Sequence, residues 1–222
     1  MPRRCRHILH RWLAVVLACG FAAGAVAQPP VAAPSLAQTL LAGIARTPPA
    51  STPFVQVAYR GMLDRPLVVS GTLHWFGGDR MQRDVVKPFR ETAKVTNGEL
   101  SVQRGNGKTR HVPLARAPQV GAMLVGFRAL LGGDVTTLQR DFTLSAQGAE
   151  AHWVVVLTPR TAQLRRQLDS ITIDGAAHAP RCLTVRAADG DSSITLLGAM
   201  ATAGLRDAAP QESALAARCR NP

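Results

Sequence analysis

The sequence predicts a mainly β (α+β) protein, one long antiparallel meander of about ten or eleven strands with a helix before it and a helical insertion inside it. Three observations carry that prediction. Short segments rich in Val, Leu, Thr and aromatic residues recur from Phe54 to Leu197. Turn signals divide them, among them Gly77-Gly78-Asp79, Asn97-Gly98, Asn106-Gly107 and Asp189-Gly190-Asp191. Only two stretches, 35–46 and 117–132, carry apolar residues at helical spacing.

The chain opens with four arginines and no acid in its first eleven residues, then runs through the apolar stretch Trp12 to Ala27. This is the pattern of a secretory signal, and Ala25-Val26-Ala27 supplies the small-x-small cleavage site. The expected organisation is a cleaved signal over 1–27, a Pro- and Ala-rich flexible leader over 28–34, one domain over 35–200 and a tail over 201–222. An uncleaved anchor, and a lipoprotein anchored at Cys19 after Val16-Leu17-Ala18, are the alternatives. Losing Arg3, Arg4, Arg6 and Arg11 lowers the formal charge from +12 to +8. Export to the periplasm removes nucleic acid as a partner for that charge, and the cations are scattered, with Arg165-Arg166 their only adjacent pair. Cys182 and Cys219 are the two cysteines that survive cleavage, and in an oxidising compartment they are expected to pair.

Leu36, Leu40, Leu41 and Ile44 recur at helical spacing behind Ser35, a candidate N-cap, and the run TPPASTP stops that helix. Strands are then expected over 54–60, 66–76, 80–87, 90–96, 99–104 and 108–114. The second shows the alternation of a half-buried strand, with Val69, Gly71, Leu73 and Trp75 set against Ser70, Thr72 and His74. The pattern breaks at 117–133, where Val120, Leu124, Phe127 and Leu131, with Met123 and Leu130 beside them, form an apolar stripe ended by Gly132-Gly133. Gly121 and Gly126 weaken this helix, so a mobile cover is expected. A helical turn at 134–138 is followed by strands at 141–146, 152–158, 170–174, 182–187 and 192–197. The tail from Leu205 is rich in alanine and charge, and its pattern assigns it no element. A sheet of this length must curl, and the two helices are the available cover for its apolar face.

Catalytic and metal motifs are not met. Gly105-Asn106-Gly107-Lys108-Thr109 has the end of a phosphate loop, but the first glycine falls at Val102, and hairpin strands flank it. No pair among His74, His111, His152 and His178 has helical metal-site spacing, and there is no Gly-x-Ser-x-Gly. No metal, cofactor or catalytic residue is therefore expected. The remaining signal is apolar: Phe54, Trp75, Phe76, Met123, Phe127 and Trp153 lie on segments that face one another across the curled sheet. They make either an ordinary core or the lining of a lidded cavity.

The order of the motifs resembles the LolA/LolB-type lipoprotein carriers, and more closely their LolA-related kin. The matching residues are Phe54-Val-Gln56 on the first strand, Gly71-Thr-Leu73-His-Trp75 on the second, Arg80-Met-Gln-Arg83 through Pro88, and the Asn97-Gly98-Glu-Leu100 hairpin. After the helical insertion come Trp153-Val-Val-Val-Leu157-Thr-Pro159, Ile171-Thr-Ile173-Asp-Gly175 and Asp189-Gly190-Asp191. The resemblance implies an unclosed antiparallel β-barrel of about ten or eleven strands under a helical lid, whose interior takes the acyl chains of a lipoprotein, glycolipid or other lipid. It implies a non-enzymatic, monomeric periplasmic carrier working between an inner-membrane donor and an outer-membrane acceptor. The implied lining is Phe54, Val69, Leu73, Trp75, Trp153 and Val155 from the strands, with Met123, Leu124, Phe127 and Leu131 from the lid. An envelope enzyme acting on lipid, and a binding module with a solid core, are the alternatives. One departure stands out: the carriers have an Arg-Pro pair shortly after the second strand's Trp, where this chain has Phe76-Gly77-Gly78-Asp79.

Overall fold

The computed structural model describes residues 35–116, 121, 124, 131–133, 135–205 and 207–221. Ser35 caps α1 (Leu36–Gly43) through a reciprocal pair: its Oγ accepts from the Gln38 backbone N–H, and its own N–H donates to Gln38 Oε1. Six strands follow: β1 (Ala50–Tyr59), β2 (Leu67–Trp75), β3 (Met81–Lys87), β4 (Glu91–Thr96), β5 (Glu99–Arg104) and β6 (Arg110–Pro113). After a 3₁₀ turn (Leu114–Arg116) and α2 (Val135–Asp141) come β7 (Phe142–Ala149), β8 (His152–Pro159), the short α3 (Ala162–Arg165), β9 (Leu168–Ala176), β10 (Ala179–Ala187) and β11 (Ser192–Leu197). Two helices end the chain, α4 (Ala199–Thr202) and α5 (Glu212–Arg220).

All eleven strands form one antiparallel sheet in the order β6-β5-β4-β3-β2-β1-β11-β10-β9-β8-β7. Every neighbour but one is a hairpin partner in sequence. The exception is β1 with β11, Phe54 opposite Leu197 and Tyr59 opposite Ser192, which joins the two meander halves. The sheet stays open, with β6 and β7 as its edges. It is the mainly β, unclosed architecture that the turn spacing predicts.

Strand boundaries shift where tertiary pairing overrides local signals. β1 begins at Ala50, inside the stretch read as a helix stop. Its first residues pair with β2, Pro53 opposite Thr72, while β11 ends opposite Phe54. Pro53 therefore sits just past the end of the β11 ladder, where its carbonyl still accepts from the Gly198 N–H at 3.0 Å and a missing N–H costs least.

Period-2 alternation gives each strand an inner and an outer set. The inner set of β1 to β5 includes Phe54, Val69, Leu73, Trp75, Met81, Val85, Val95 and Leu100. They share one buried cluster with Ala37, Leu41 and Ile44 of the α1 region and with Trp153, Val155, Leu157, Ile171, Ile173 and Leu183 of β8 to β10. On the outer face, Val57, Cys182, Ile194 and Leu196 pack beneath Ala201 of α4 and Leu215 and Cys219 of α5. Covered on both sides, β11 has all six residues buried. The stretch without a readable pattern is thus a second layer over the centre of the sheet. Cys182 and Cys219 are joined by a disulfide, with their Cα atoms 5.8 Å apart.

Candidate ligand-binding face

The inner face assembles most of the residues expected to line it. Phe54, Val69, Leu73, Trp75, Leu124, Trp153 and Val155 are buried in the same cluster, and Leu131 packs against it partly exposed. Met123 and Phe127 lie outside the described residues, as does most of the stretch 117–132; its described members Gly121, Leu124, Leu131 and Gly132 are helical. Phe76 does not join the cluster. Alternation sets it with His74 on the other face, where the two rings stack at 6.3 Å and Phe76 is exposed.

Two tryptophans anchor the two halves of this face. Trp153 Nε1 donates to the Ala177 carbonyl at 2.8 Å, and its ring lies against Gly175, where an added Cβ would stand 2.1 Å from ring carbon Cζ2. Gly175 is required by that close approach. Trp75 Nε1 donates to the Gly78 carbonyl at 3.0 Å. The Gly77-Gly78 turn that stands in place of an Arg-Pro pair therefore fixes the tryptophan. Arg80, the nearby cation, closes the same turn by donating from Nη2 to the Phe76 carbonyl at 2.6 Å.

The end of the insertion is tied to α1. Arg46 N–H donates to the Leu131 carbonyl at 2.9 Å, and Gly133 adopts a φ of 59°. A side chain there would stand 2.8 Å from Ala45 Cβ. Only glycine satisfies both the dihedral and the packing at this pivot.

Beside it lies a cavity of ≈ 590 Å³, bounded by Arg46 and 50–52, Leu131, the β9–β10 hairpin at Ala176 and Ala179, Arg181, and 197–200. Leu131 and Leu197 belong both to this lining and to the inner cluster, while Met200 of the same lining packs against the outer one, so the cavity lies at the end of the sheet next to both. Arg46 and Arg181 stand on its wall; Arg46 Nη2 donates to the His178 carbonyl at 3.4 Å and Arg181 Nη2 to the Asn221 carbonyl at 3.2 Å. Sequence reasoning placed no residue here apart from Leu131, because the lining comes from six separate stretches.

The inner face also carries a polar row. Gln56 Nε2 donates to Thr195 Oγ1 at 3.2 Å, and Arg83 Nη2 donates to Gln56 Oε1 at 3.0 Å. Arg83 Nη1 stands 3.6 Å from Glu91 Oε1, and Arg104 Nε donates to Glu91 Oε2 at 2.5 Å. The Arg83 guanidinium lies over the Phe54 ring, 4.9 Å from its centroid. Burial pulls the Arg83 pKa below its ordinary value and the Glu91 charge pulls it back up; an arginine stays charged in either case. The signal for this row was present in the sequence. Met81 and Val85 flank Arg83 at two-residue spacing and place it on their own apolar face.

A different chain of contacts crosses the outer face. Ser51 Oγ is 2.8 Å from His74 Nδ1, and His74 Nε2 is 3.2 Å from Asp84 Oδ2. Thr92 Oγ1 donates to Asp84 Oδ1 and Gln82 Nε2 to Asp84 Oδ2. The residue types are those of a nucleophilic triad, but the imidazole is turned the other way: in a triad the serine meets Nε2 and the acid meets Nδ1. Ser51 and His74 are direct cross-strand partners, as are Asp84 and Thr92. The chain is a ladder of polar neighbours on a wet sheet face. Among the described residues, no three His, Cys, Asp or Glu side chains are grouped to hold a metal ion.

Compared with known proteins, residues 29–221 match the family model described as outer membrane lipoprotein carrier protein LolA-like. No curated protein matches the sequence. Among solved structures, the chain is similar to a LolA superfamily protein from Nitrosomonas europaea (10% identity, TM-score 0.41, covering 73% of this chain and 91% of that one). It is similar to LprF from Mycobacterium bovis (16% identity, TM-score 0.34, covering 79% and 96%). It is also similar to a protein in the MucA/MucB complex of Pseudomonas aeruginosa (13% identity, TM-score 0.39), covering 84% of this chain and 61% of that one.

Proposed function

The chain belongs to the LolA-like family of outer membrane lipoprotein carrier proteins, and from that premise we propose that it is a non-enzymatic periplasmic carrier. In this reading it is exported, loses 1–27, and shields the acyl chains of a lipoprotein, glycolipid or other lipid during transfer towards the outer membrane. The observation that carries the reading is the inner face itself. An open sheet turns Phe54, Val69, Leu73 and Trp75 towards one buried cluster, and a cavity of ≈ 590 Å³ that shares Leu131 and Leu197 with it lies beside the end of the helical insertion. That volume falls within the range of roughly 300–1,000 Å³ typical of small-ligand sites.

The energetics suit a carrier with a cover. Each buried methylene is worth roughly 0.8 kcal/mol, so a chain of about sixteen carbons gains on the order of 13 kcal/mol gross. Unopposed, that would make release too slow for transfer. In this reading an opening cover supplies the opposing cost; most of the stretch expected to form it, 117–132, lies outside the described residues. Polar groups on the inner face weaken the hold further.

Native mass spectrometry of the protein taken from the periplasm tests this. Co-purified lipid, displaced by added fatty-acyl chains, is the expected result. Protein that is lipid-free as isolated and takes up no acyl chain would end the carrier reading.

A further inference from the structure

We propose that the Arg83 row of the inner face is a head-group site, and that the preferred cargo is an acyl chain carrying an anionic head, carboxylate or phosphate. The proposal rests on the carrier reading and names the ligand class that reading leaves open.

A guanidinium has five N–H donors. At Arg83 the described contacts place Nη2 on Gln56 and Nη1 3.6 Å from Glu91, too far for a direct hydrogen bond. Donor capacity is left over on a side chain only 15% exposed. Glu91 does not neutralise the row, because it serves two cations: its Oε2 is taken by Arg104, and Arg83 faces its Oε1. One carboxylate against two guanidiniums leaves one formal positive charge, which a single anionic head would balance.

The surroundings supply the rest of an amphiphile site. Arg83 is the cross-strand partner of Leu73 and Ala93 and rests on Phe54, while Val69 and Val85 continue the apolar surface on either side. An anion held by Arg83 would start its hydrocarbon chain on the apolar side chains of the inner face. A charge on an apolar face is costly unless it is paired. Glu91, shared with Arg104, meets that cost at Arg83 only in part, and an anionic ligand would complete it.

The test compares palmitate and monopalmitoyl phosphate with the uncharged methyl palmitate, each titrated against the purified chain. Two variants are used: Arg83→Met, which keeps the apolar stem, and Glu91→Gln, which removes the competing anion. In the wild type both anionic ligands should bind better than the ester. Arg83→Met should weaken them roughly 10- to 100-fold, the loss expected for a charge-assisted hydrogen bond, and leave the ester within about twofold. Glu91→Gln should tighten the anionic ligands several-fold with no gain for the ester. A carboxylate bound more tightly than the phosphate identifies a fatty-acid head, and the reverse a phospholipid head; inorganic phosphate that competes with neither shows that the chain is required.

Equal binding of all three by the wild type, unchanged in both variants, would overturn the head-group site and leave the carrier standing. Binding of none would overturn both. If Arg83→Met does not fold, Glu91→Gln decides alone: a weaker hold on the anions, or an equal change for the ester, would refute the proposal.

Discussion

The two halves of the meander are built to the same topology but not to the same finish. In β8 to β10 the inner side chains Trp153, Val155, Leu157, Ile171, Ile173 and Leu183 are fully buried, and only Val185 near the end of β10 is partly exposed. In β1 to β5 the corresponding positions, Phe54, Val69, Leu73, Trp75, Met81 and Val95, each keep a little, and the row Gln56–Arg83–Glu91–Arg104 runs between them. The second half is packed as an ordinary core, while the first combines apolar side chains with an arginine that shares its one carboxylate with Arg104. That difference is the one the proposed carrier would use, with one half holding the fold while the other meets a cargo that comes and goes.

The comparison breaks most directly at its two tryptophans. Trp153→Ala removes a fully buried ring, together with its bond to Ala177 and its contact with Gly175, and should cost about 3–5 kcal/mol in denaturant unfolding. Trp75→Ala should cost roughly half as much, because its surroundings can yield or admit a ligand. Equal losses would mean that both halves are solid core.

Next in size is the disulfide. It fastens α5 to β10 over a sequence separation of 37 residues, and closing a loop of that size stabilises by about 4 kcal/mol on chain entropy, with engineered and natural cases spreading down to about 2. The Arg186–Glu212 ion pair at 2.9 Å and the bond from the Tyr59 hydroxyl to the Pro210 carbonyl at 3.0 Å hold the same segment without it. Burial, with the Glu212 charge, pushes the Tyr59 pKa up to about 12, so the hydroxyl stays a donor throughout the working range. Free-thiol titration of the denatured, unreduced protein should find neither Cys182 nor Cys219, and their replacement by alanine should lower stability without weakening acyl binding. Loss of binding as well would show that the second layer shapes the inner face.

The sequence revealed topology better than it revealed the site. Hairpin signals and alternation depend on neighbours in the chain, so all eleven strands could be read from Asn-Gly turns and period-2 runs. What escaped depends on contacts between distant stretches. The terminal segment showed no apolar stripe, since α5 buries only Leu215 and Cys219, and the second turns inward as half of a disulfide. The ≈ 590 Å³ cavity draws on stretches from Arg46 to Met200. Arg83 stands within a motif of the family, yet its place on the apolar face follows only when the strand's register is carried through Met81 and Val85. Phe76 erred the opposite way, counted among inner aromatics by its chemistry when its parity with His74 puts it outside.

The smallest effect concerns Asp174, on the outer face of β9 within the well-packed half. It is 5% exposed, with Val154 and Cys182 as its cross-strand neighbours, and its Oδ1 stands 3.5 Å from His152 Nε2, the outer limit of hydrogen bonding. Burial raises its pKa above the ordinary aspartate value, and the contact with His152 and the charges of Arg220 and Arg181 lower it without cancelling that rise. The folded chain therefore holds this proton more tightly than the unfolded chain. Stability from the group is fully present below the ordinary carboxylate pKa and is lost as pH rises through the folded value. Asp174→Asn is neutral throughout and escapes the loss. The difference in unfolding free energy between wild type and Asp174→Asn should accordingly move against the wild type as pH rises from about 3 to 6, a range near and above the ordinary value of about 3.9. A difference that moves in the wild type's favour would show that His152 and the two arginines outweigh burial. The outer layer would then be held by charge, and the second half could no longer be described as the one secured by packing alone.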